Sequence, residues 1–386
     1  MNSRFALIIG VCLAAGIACG QAAPAATPSG STGAAAATSQ PLAFATSSLE
    51  DSDLKFGFFP SPPEPTFEAI MRHFEDLGDH ADFILIQPHV PWQDFAKGIE
   101  GDSPARQDIR NQVILAQQNG LGVAFVVDPL NGLNRREFFD LPASWRNNFG
   151  DPQVRSAYIN FSIWLAQEFK PTYLGLASEI NTYMDAHPQD VDHYLTLYQQ
   201  TYQSIKEVSP VTRVFVTFQW DDLNNMMPQA AEGRPAGQIN WEQIEAFEPR
   251  LDLWAISSYP YFIFNGGEAI PADYYRPLLS RTNKPLAVAE GGFSSRPVGP
   301  IQVDEEDQSA YLQAIHAQLG ERLSFWVYIL LNDLNMQAIS TEMAERGRSQ
   351  QDIDTLSMFA GVGLRQADGS AKPALELWDS FRTEGR

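Results

Sequence analysis

Two glutamates end short apolar runs, which is an unusual position for a carboxylate. Glu179 lies in YLGLASEINTY, at Tyr173–Tyr183, and Glu290 lies in PLAVAEGGF, at Pro285–Phe293. A pair of carboxylates can work at a carbon–oxygen bond, because one attacks in its ionised form while the other donates a proton to the departing oxygen. This chemistry requires a fold that brings the two side chains face to face.

The apolar runs recur after Glu50, and each is followed by a polar loop and then by apolar residues at helical spacing. The eight runs are Lys55–Pro60, Asp82–Gln87, Gly122–Asp128, Tyr173–Glu179, Arg213–Trp220, Leu251–Tyr259, Pro285–Glu290 and Leu323–Leu331. The predicted helices are Thr66–Leu77, Ser103–Asn119, Pro152–Phe169, Asp190–Val208, Asn240–Phe247, Ala272–Leu279, Asp304–Leu319 and Ala371–Phe381.

Strands that are apolar on both faces and alternate with helices indicate a parallel sheet covered by helices. Eight such units predict an α/β fold, a single (β/α)8 TIM barrel that forms one domain over residues 51–386. The alternative is an open doubly wound sheet. That fold would more naturally place a glycine-rich phosphate turn after the first strand, where this sequence has SPPEPTFE.

In a closed barrel, the ends of strands four and seven open into one bowl from facing sides. We therefore expect the carboxyl groups of Glu179 and Glu290 about 5 Å apart, the separation found in retaining glycosidases. Two charges at that distance repel by roughly 3 kcal/mol at an effective dielectric near 20, so one stays protonated while the other is ionised. Either glutamate alone could instead cap a helix or pair with an arginine. Two of them at strand ends favour catalysis.

The segments around both glutamates resemble clan A of the glycoside hydrolases, the 4/7 superfamily, and within it the family 53 arabinogalactan endo-β-1,4-galactanases. GLASEIN, ending at Asn181, is similar to that family's G-N-E-I-N run on strand four. VAEGGF, ending at Phe293, is similar to its E-T-G-W segment. The resemblance implies a retaining glycoside hydrolase that cleaves a β-linked oligo- or polysaccharide, with Glu179 as acid/base and Glu290 as nucleophile.

LDLWAISSYPYF resembles the clan's strand-six pattern, which ends in tyrosines, one of them hydrogen-bonded to the nucleophile. Tyr259 is the first choice for that role and Tyr261 the second. The sequence also departs from the clan. Ser178 stands where an asparagine usually contacts the sugar, and strand two ends in Gln87-Pro88-His89 where an arginine is usual. That arginine is either missing or supplied by another element. These departures leave open a second function, a non-catalytic glycan-binding lipoprotein on the same barrel.

Further side chains at the predicted strand ends are candidates for substrate contact. An aromatic ring such as Trp220 can stack on the apolar face of a sugar, although loop packing would also explain it. Asp128 is expected to anchor its loop, with a third site carboxylate as the alternative, and Trp326 is expected in the core, with the floor of a sugar subsite as the alternative. The predicted substrate-binding set is Ser178, Asn181, His89, Trp92, Gln219, Trp220, Tyr259 and Tyr261.

The composition excludes several classes of function. The chain carries 26 Lys and Arg against 47 Asp and Glu, a net charge of −21, which disfavours nucleic-acid binding and anionic membrane surfaces. The six histidines show no H-x-H or H-E-x-x-H spacing, so we predict no metal and no cofactor. We expect a monomer whose partner is an oligo- or polysaccharide.

The N-terminus has the pattern of an export signal. A basic start and an apolar stretch lead to Gly-Ile-Ala-Cys, which resembles a bacterial lipoprotein signal over residues 1–19 with Cys19 as the lipidated residue. Cleavage near Ala22-Ala23 is the alternative. Residues 20–50 are uncharged up to Ser48 and rich in Ala, Ser, Thr and Pro, which predicts a flexible linker. We therefore expect a bacterial cell-surface or periplasmic lipoprotein, held to the membrane by its lipid anchor alone, or a secreted protein.

Overall fold

The computed structural model describes residues 53–227 and 234–384. The predicted signal peptide at 1–19, its Cys19 and the predicted linker at 20–50 lie outside these ranges. The described residues form a parallel sheet whose strands are connected by helices, so the predicted (β/α)8 barrel is confirmed.

Among the described residues, eight strands line the barrel, and each lies inside a predicted run except the seventh, which ends one residue beyond its run. They are β1 (Lys55–Phe58), β2 (Phe83–Ile86), β3 (Gly122–Val126), β4 (Tyr173–Gly175), β5 (Arg213–Phe215 and Thr217–Gln219), β6 (Trp254–Ser258), β7 (Leu286–Gly291) and β8 (Leu323–Tyr328). Each strand pairs in parallel with its neighbour in sequence, and β8 pairs with β1.

Strand β5 closes the barrel. Its first segment, Arg213–Phe215, pairs with β4, while its second segment, Thr217–Gln219, pairs with β6. These segments are the two ends of the hydrogen-bonded sheet, and only Val216 separates them along the chain. The sheet therefore has no free edge here, and the ends of β4 and β7 face one another across a closed ring.

Eight helices cover the barrel in the described part of the chain. They are α1 (Phe67–His80), α2 (Pro104–Gln118), α3 (Pro152–Phe169), α4 (Val191–Val208), α5 (Trp241–Glu245), α6 (Arg276–Arg281), α7 (Glu305–Leu319) and α8 (Pro373–Glu384). Helix α6 begins four residues later than predicted. Pro277 stands in its first turn, where a missing N–H costs nothing and a fixed φ suits the helix.

Side-chain caps define where several helices begin. Thr66, Ser103 and Asp151 each accept a hydrogen bond from a backbone N–H in the first turn of α1, α2 and α3. Asp304 and Asp307 form a reciprocal capping box at the start of α7. These contacts satisfy donors that the first turn of a helix leaves unpaired, and they account for the agreement with the predicted starts.

The loops at the C-terminal ends of the strands contain structure that the sequence analysis did not anticipate. An antiparallel hairpin of Leu130–Asn131 and Asn134–Phe138 follows β3. Short helices lie in other loops, at Trp92–Phe95, Ile180–Ala186, Trp220–Leu223, Met336–Glu345 and Gln350–Ser357. Short 3-10 turns are found at Pro188–Asp190, Pro260–Phe262 and Gly267–Ala269, while a fourth, Gly320–Arg322, lies at the opposite end of the barrel between α7 and β8.

Aromatic side chains fill the inside of the barrel. The ring of Phe325 lies 5.7 Å from Phe83, 4.8 Å from Tyr173 and 5.9 Å from Phe215, centroid to centroid. The barrel is thus a packed core, and the space for a ligand lies at its C-terminal mouth. Trp326 is also fully buried, as expected of a core residue. Within residues 53–227 and 234–384, no helix combines the length and the hydropathy needed to cross a membrane.

Candidate active site

Glu179 follows β4 in a backbone conformation that non-glycine residues seldom adopt. Its φ of 50° and ψ of 42° are left-handed, and the short helix Ile180–Ala186 begins at the next residue. Its N–H donates to Oγ1 of Thr217 in β5, at 2.8 Å, which fixes this turn against the barrel. Left-handed backbone costs an ordinary residue about 1–2 kcal/mol. Such strain is found preferentially at functional sites, so it favours a functional role for this carboxylate.

Glu290 lies near the end of β7, directly after an irregularity in the sheet. In the pairing of β7 with β6, Val288 lies opposite Ile256 and Glu290 lies opposite Ser257. Ala289 therefore has no counterpart in β6 and forms a bulge. Bulges of this kind redirect side chains next to active sites. The carboxylate accepts a hydrogen bond from the hydroxyl of Tyr259 at 2.7 Å, on the oxygen Oε1.

Ser178 connects the two strand ends. Its hydroxyl donates to Oε2 of Glu290 at 3.3 Å, and it accepts a hydrogen bond from Nη2 of Arg135 at 3.2 Å. The residue that stands in place of the usual asparagine is therefore in direct contact with the carboxylate of β7. Glu290 is 6% exposed and Glu179 is 9% exposed, so both carboxylates lie in a confined space.

Arg135 joins the two glutamates. It extends from the hairpin after β3, with Nε 3.2 Å from Oε2 of Glu179 and Nη2 3.8 Å from Oε2 of Glu290. Because both nitrogens belong to one guanidinium, with C–N bonds of about 1.33 Å, the two contacts limit the separation of these oxygens to about 10 Å. The two carboxylates thus share one bowl, at a range that includes both retaining and inverting glycosidases.

Asp128, at the end of β3, holds Arg135 from the opposite side. One of its carboxylate oxygens forms an ion pair with Nη1 of Arg135 and accepts Nε2 of Gln87 at 3.0 Å. The other oxygen accepts the N–H of Leu130 at 3.1 Å, which is the anchoring role that the sequence predicted. The acid therefore has two roles, one in the hairpin and one in the charge network.

Ser257 completes the contacts of Glu179. Its hydroxyl donates to Oε1 at 2.6 Å, so both oxygens of Glu179 accept hydrogen bonds from the protein. A fully buried acid, Asp221, supports the neighbouring end of β6. It accepts the N–H of Tyr259 at 2.8 Å and the hydroxyl of Tyr274 at 2.7 Å. These bonds fix the tyrosine that contacts Glu290.

Burial and charge change the acidity of the site. Burial, followed by repulsion from Glu179, raises the pKa of Glu290 to about 7, against the opposing effects of Arg135 and Tyr259. Burial opposes the charge of Arg135, but Asp128 and the two glutamates outweigh it and raise the pKa of the guanidinium. Arg135 is thus a permanent cation. Burial also lowers the pKa of His89 to about 4, so its ring is neutral at physiological pH.

The raised pKa of Glu290 predicts how stability depends on pH. The folded protein holds this proton more tightly than the unfolded chain, so the contribution is complete below pH 4.5 and is lost as the pH rises through about 7. Glu290→Gln removes that loss. We expect the free energy of unfolding of the variant, relative to that of wild type, to be higher at pH 8 than at pH 4.5 by up to about 3 kcal/mol. Thermal unfolding of both proteins at the two pH values measures this difference. The exposed Glu137→Gln is the control. A stability difference between Glu290→Gln and wild type that is the same at both pH values would contradict the prediction.

His89 and Trp92 lie beside the hairpin. The ring of His89 stacks on Phe139, with centroids 4.2 Å apart, and its Nδ1 bonds to the carbonyl of Asp128 at 3.1 Å. Because a carbonyl only accepts, Nδ1 carries the proton. Nε2 is then an acceptor, and it is buried with no partner within the described ranges. Trp92 donates to the carbonyl of Phe139 at 2.8 Å, which holds the end of the hairpin.

Asn181 and Gln219 hold the ends of β4 and β5 together. The amide of Asn181 accepts the N–H of Gln219 at 2.8 Å and donates to its carbonyl at 3.2 Å. The side chain of Gln219 donates to Asp221 at 3.0 Å and accepts the N–H of Asp222. Both side chains are thus used in protein contacts at the rim.

Two predicted substrate contacts lie inside the protein. Trp220 is fully buried, and its ring packs against Trp241, Tyr274 and Tyr275, which corresponds to the loop-packing alternative. Tyr261 is fully buried as well and donates to the carbonyl of Met358 at 3.3 Å. Of the two tyrosines considered for the bond to Glu290, the structure gives that bond to Tyr259.

Sequence reasoning missed Arg135 and Ser257. A signal for the first did exist, because Asn131-Gly132 is a dipeptide typical of hairpin turns and two arginines follow it closely. Ser257 gave no signal, since a serine within an apolar strand is common. Across the described ranges, no three His, Cys, Asp or Glu side chains are arranged to hold a metal ion.

The fold is that of barrels found in glycoside hydrolases. It is similar to the exo-β-1,4-mannosidase Op5Man5 from Opitutaceae bacterium strain TAV5, with 14% identity and a TM-score of 0.60 over 86% of this chain. The chain spans 60% of that protein's length. GH5_18 from Streptomyces cattleya in complex with GlcNAc gives 17% identity and a TM-score of 0.60 over 87% of this chain and 82% of that one.

A third similar structure is the β-glucuronidase of Ruminococcus gnavus, with 15% identity and a TM-score of 0.51 over 85% of this chain and 50% of that one. No family profile matches the chain, and no curated protein matches it. At these identities the similarity shows the fold alone.

Proposed function

We propose that the protein is a retaining glycoside hydrolase that cleaves a β-linked oligo- or polysaccharide by double displacement. The observation that carries the proposal is the set of contacts that holds Glu179, after β4, and Glu290, in β7, at one site. Glu290 accepts the hydroxyl of Tyr259 at 2.7 Å and shares one guanidinium with Glu179. The similar barrels named above include a mannosidase and a glucuronidase, which supports a glycosidase.

In the first step, a carboxylate oxygen of Glu290 attacks the anomeric carbon while the bond to the leaving oxygen breaks. Glu179 donates its proton to that oxygen, so the leaving group departs as an alcohol. In the second step, Glu179 takes a proton from water, and the water oxygen attacks the anomeric carbon and releases Glu290. Both displacements invert the carbon, so the product keeps the β configuration.

Tyr259 and Ser178 position the nucleophile. They donate to different oxygens of Glu290, at 2.7 and 3.3 Å, so they fix the plane of the carboxylate. Hydrogen bonds to the ionised form lower the pKa of a carboxyl group and so oppose the effect of burial on Glu290. His89, with its free Nε2 acceptor, is suited to a sugar hydroxyl at the same mouth.

The non-catalytic alternative rested on two departures from the clan. The arginine absent from strand two has a counterpart in Arg135, which reaches the same pair of carboxylates from the hairpin. Ser178, which replaces the usual asparagine, donates to Glu290. The first departure is thus compensated by Arg135, and the second places a hydroxyl on the proposed nucleophile, so we favour the enzyme.

We further propose that the sugar is uncharged. Asp128, Glu179 and Glu290 surround a single cation, Arg135, so a uronate carboxylate placed there would meet net negative charge. Neutral β-mannosides are suggested by the similar mannosidase barrel. Neutral β-galactans are suggested by the resemblance of GLASEIN and VAEGGF to the family 53 galactanases. Export and attachment through Cys19 remain part of the proposal, because they would bring the enzyme to polysaccharide outside the cell.

The test is a screen of aryl β-glycosides and plant and microbial β-glycans, with the product followed by proton NMR from the first minutes. We expect hydrolysis of at least one neutral β-glycoside and initial release of the β anomer. Initial release of the α anomer would replace the proposal with an inverting enzyme. Binding of a glycan without turnover on the whole panel would support the non-catalytic alternative.

A further inference from the structure

The loop after β8, residues 332–372, is bound to the loops on both sides of it at the barrel mouth. On one side, the N–H of Asn335 donates to the carbonyl of Pro63, in the loop after β1, at 2.8 Å. On the other side, the carbonyl of Gly361 accepts the N–H of Ser295, in the loop after β7, at 2.9 Å. These backbone hydrogen bonds hold the loop against the rim of the bowl.

The same loop also reaches strands that are further away in the ring. The ring of Phe359 lies 5.1 Å from that of Tyr259, at the end of β6, centroid to centroid. In the other direction, Cζ of Arg348 lies 4.9 Å from the ring centroid of Phe139, directly after the hairpin that follows β3. Nη2 of Arg348 is buried at this contact. The loop after β8 thus borders the bowl along an arc from β6 through β8 to the β3 hairpin.

The local sequence fixes Arg348 at the tip of this loop. Gly347 has a φ of 75°, a left-handed backbone that suits the end of the helix Met336–Glu345. Two residues later, the side chain of Ser349 caps the start of the helix Gln350–Ser357. Arg348 therefore lies in a tight turn between two helices, and its guanidinium is presented to the hairpin.

This arc lies on the side of the site opposite to the proposed acid. Glu179 follows β4 and protonates the leaving oxygen, so the leaving group lies on its side of the bowl. In a closed ring of eight strands, β8 is opposite β4. The sugar that is attacked by Glu290 therefore extends toward the loop after β8. A chain that continued beyond this sugar would have to pass through the loop.

We propose that the loop after β8 limits the site to one sugar on the side away from Glu179, so that the enzyme removes single sugars from the non-reducing end of a chain. The contact of Arg348 with Phe139 closes that side and makes Arg348 a specificity-determining residue. This inference rests on the proposed function, because the role of Glu179 as acid decides which side holds the leaving group. An enzyme that cuts within a chain needs an opening on both sides.

The first experiment follows the first product formed by the wild-type enzyme. The probes are β-1,4-mannotetraose and β-1,4-galactotetraose, each reduced at the reducing end so that mass spectrometry distinguishes the two ends. We expect release of one unreduced sugar and a reduced trisaccharide. A 4,6-benzylidene acetal on the non-reducing terminal sugar should slow cleavage at least about tenfold, because it clashes with the loop. A disaccharide as first product, or equal rates on free and blocked probes, overturns the proposal.

The second experiment opens the contact between the loop and the hairpin. Arg348→Ala should raise the rate on the blocked probe, relative to the free probe, by about 2- to 30-fold, which corresponds to the loss of one cation–π contact. Arg346→Ala is the matched control, because Arg346 lies in the same turn but pairs with Glu342, and the ratio should not change. An unchanged ratio in Arg348→Ala overturns the role of Arg348. If that variant does not fold, Phe139→Leu tests the same contact from the hairpin.

A binding measurement separates this inference from the proposed function. A wild-type enzyme that cuts within chains keeps the proposed function and overturns the inference. If wild type is inert on every glycan, the proposed function fails, and calorimetric titration with the free and the blocked probes decides the inference. Binding of the free probe at least about tenfold tighter than the blocked one supports a site that ends at one sugar. Equal binding, or no binding of either probe, overturns it.

Discussion

Glu290→Gly is expected to lower turnover of an aryl β-glycoside by at least about 10³-fold, because the variant has no carboxylate to attack the anomeric carbon. Sodium azide should restore part of the activity. The anion fits the space that the side chain leaves and attacks from the same face, in a single displacement. The product should therefore be the α-glycosyl azide, which proton NMR identifies.

Two controls make this result specific. The exposed Glu137→Gln should keep wild-type turnover, and azide should not accelerate the wild-type enzyme. If Glu290→Gly retains more than about a tenth of wild-type activity, Glu290 is not the nucleophile, because removing a nucleophile causes a far larger loss of activity. A β-glycosyl azide from this variant would assign the nucleophile elsewhere.

Glu179→Ala is expected to lower kcat/KM on natural glycans by about 10²–10⁴-fold, the usual contribution of a positioned acid or base. The loss should depend on the leaving group. An activated aryl group departs without a proton, so the first step survives and the covalent intermediate accumulates. Azide then reacts with the intermediate in place of activated water. The product should be the β-glycosyl azide, the opposite anomer to that from Glu290→Gly.

The comparison of leaving groups is the control for this variant. The ratio of activity on an activated aryl glycoside to activity on a natural glycan should be much larger in Glu179→Ala than in wild type. An equal loss on both substrates would indicate a structural defect, and so would a thermal midpoint well below that of wild type. Glu179 accepts from Ser257 and Arg135, so its removal frees both donors, and the folded state must be checked.

The barrel was predictable because its signals are local. Each strand is a short apolar run, and each of several helices begins at a capping residue such as Thr66 or Asp304. The alternation of the two then leaves little choice of topology. The apolar runs did not indicate the break in β5 at Val216. The segment before this residue pairs with β4, and the segment after it pairs with β6.

The site was predictable only in part. Glu179 and Glu290 stand at strand ends, so the barrel alone brings them together. Arg135 reaches them from a loop after β3, and its place depends on contacts with Asp128 that no local pattern records. Trp220 shows the opposite case. It follows β5 as a sugar platform would, but packing against Trp241 and Tyr275 places its ring inside the protein.

The central claim is that Glu290 forms a covalent bond with the sugar while Glu179 acts as acid and base. The most direct measurement uses a 2-deoxy-2-fluoro β-glycosyl fluoride of the sugar found in the screen, because the fluorine at carbon 2 slows both steps while the fluoride leaving group keeps the first step fast, so that the covalent intermediate accumulates. Peptide mass spectrometry then locates the trapped sugar. The account predicts one added fluorosugar, on the peptide that carries Glu290, with loss of activity in proportion. A label on Glu179, or an active enzyme that is never labelled, would contradict it.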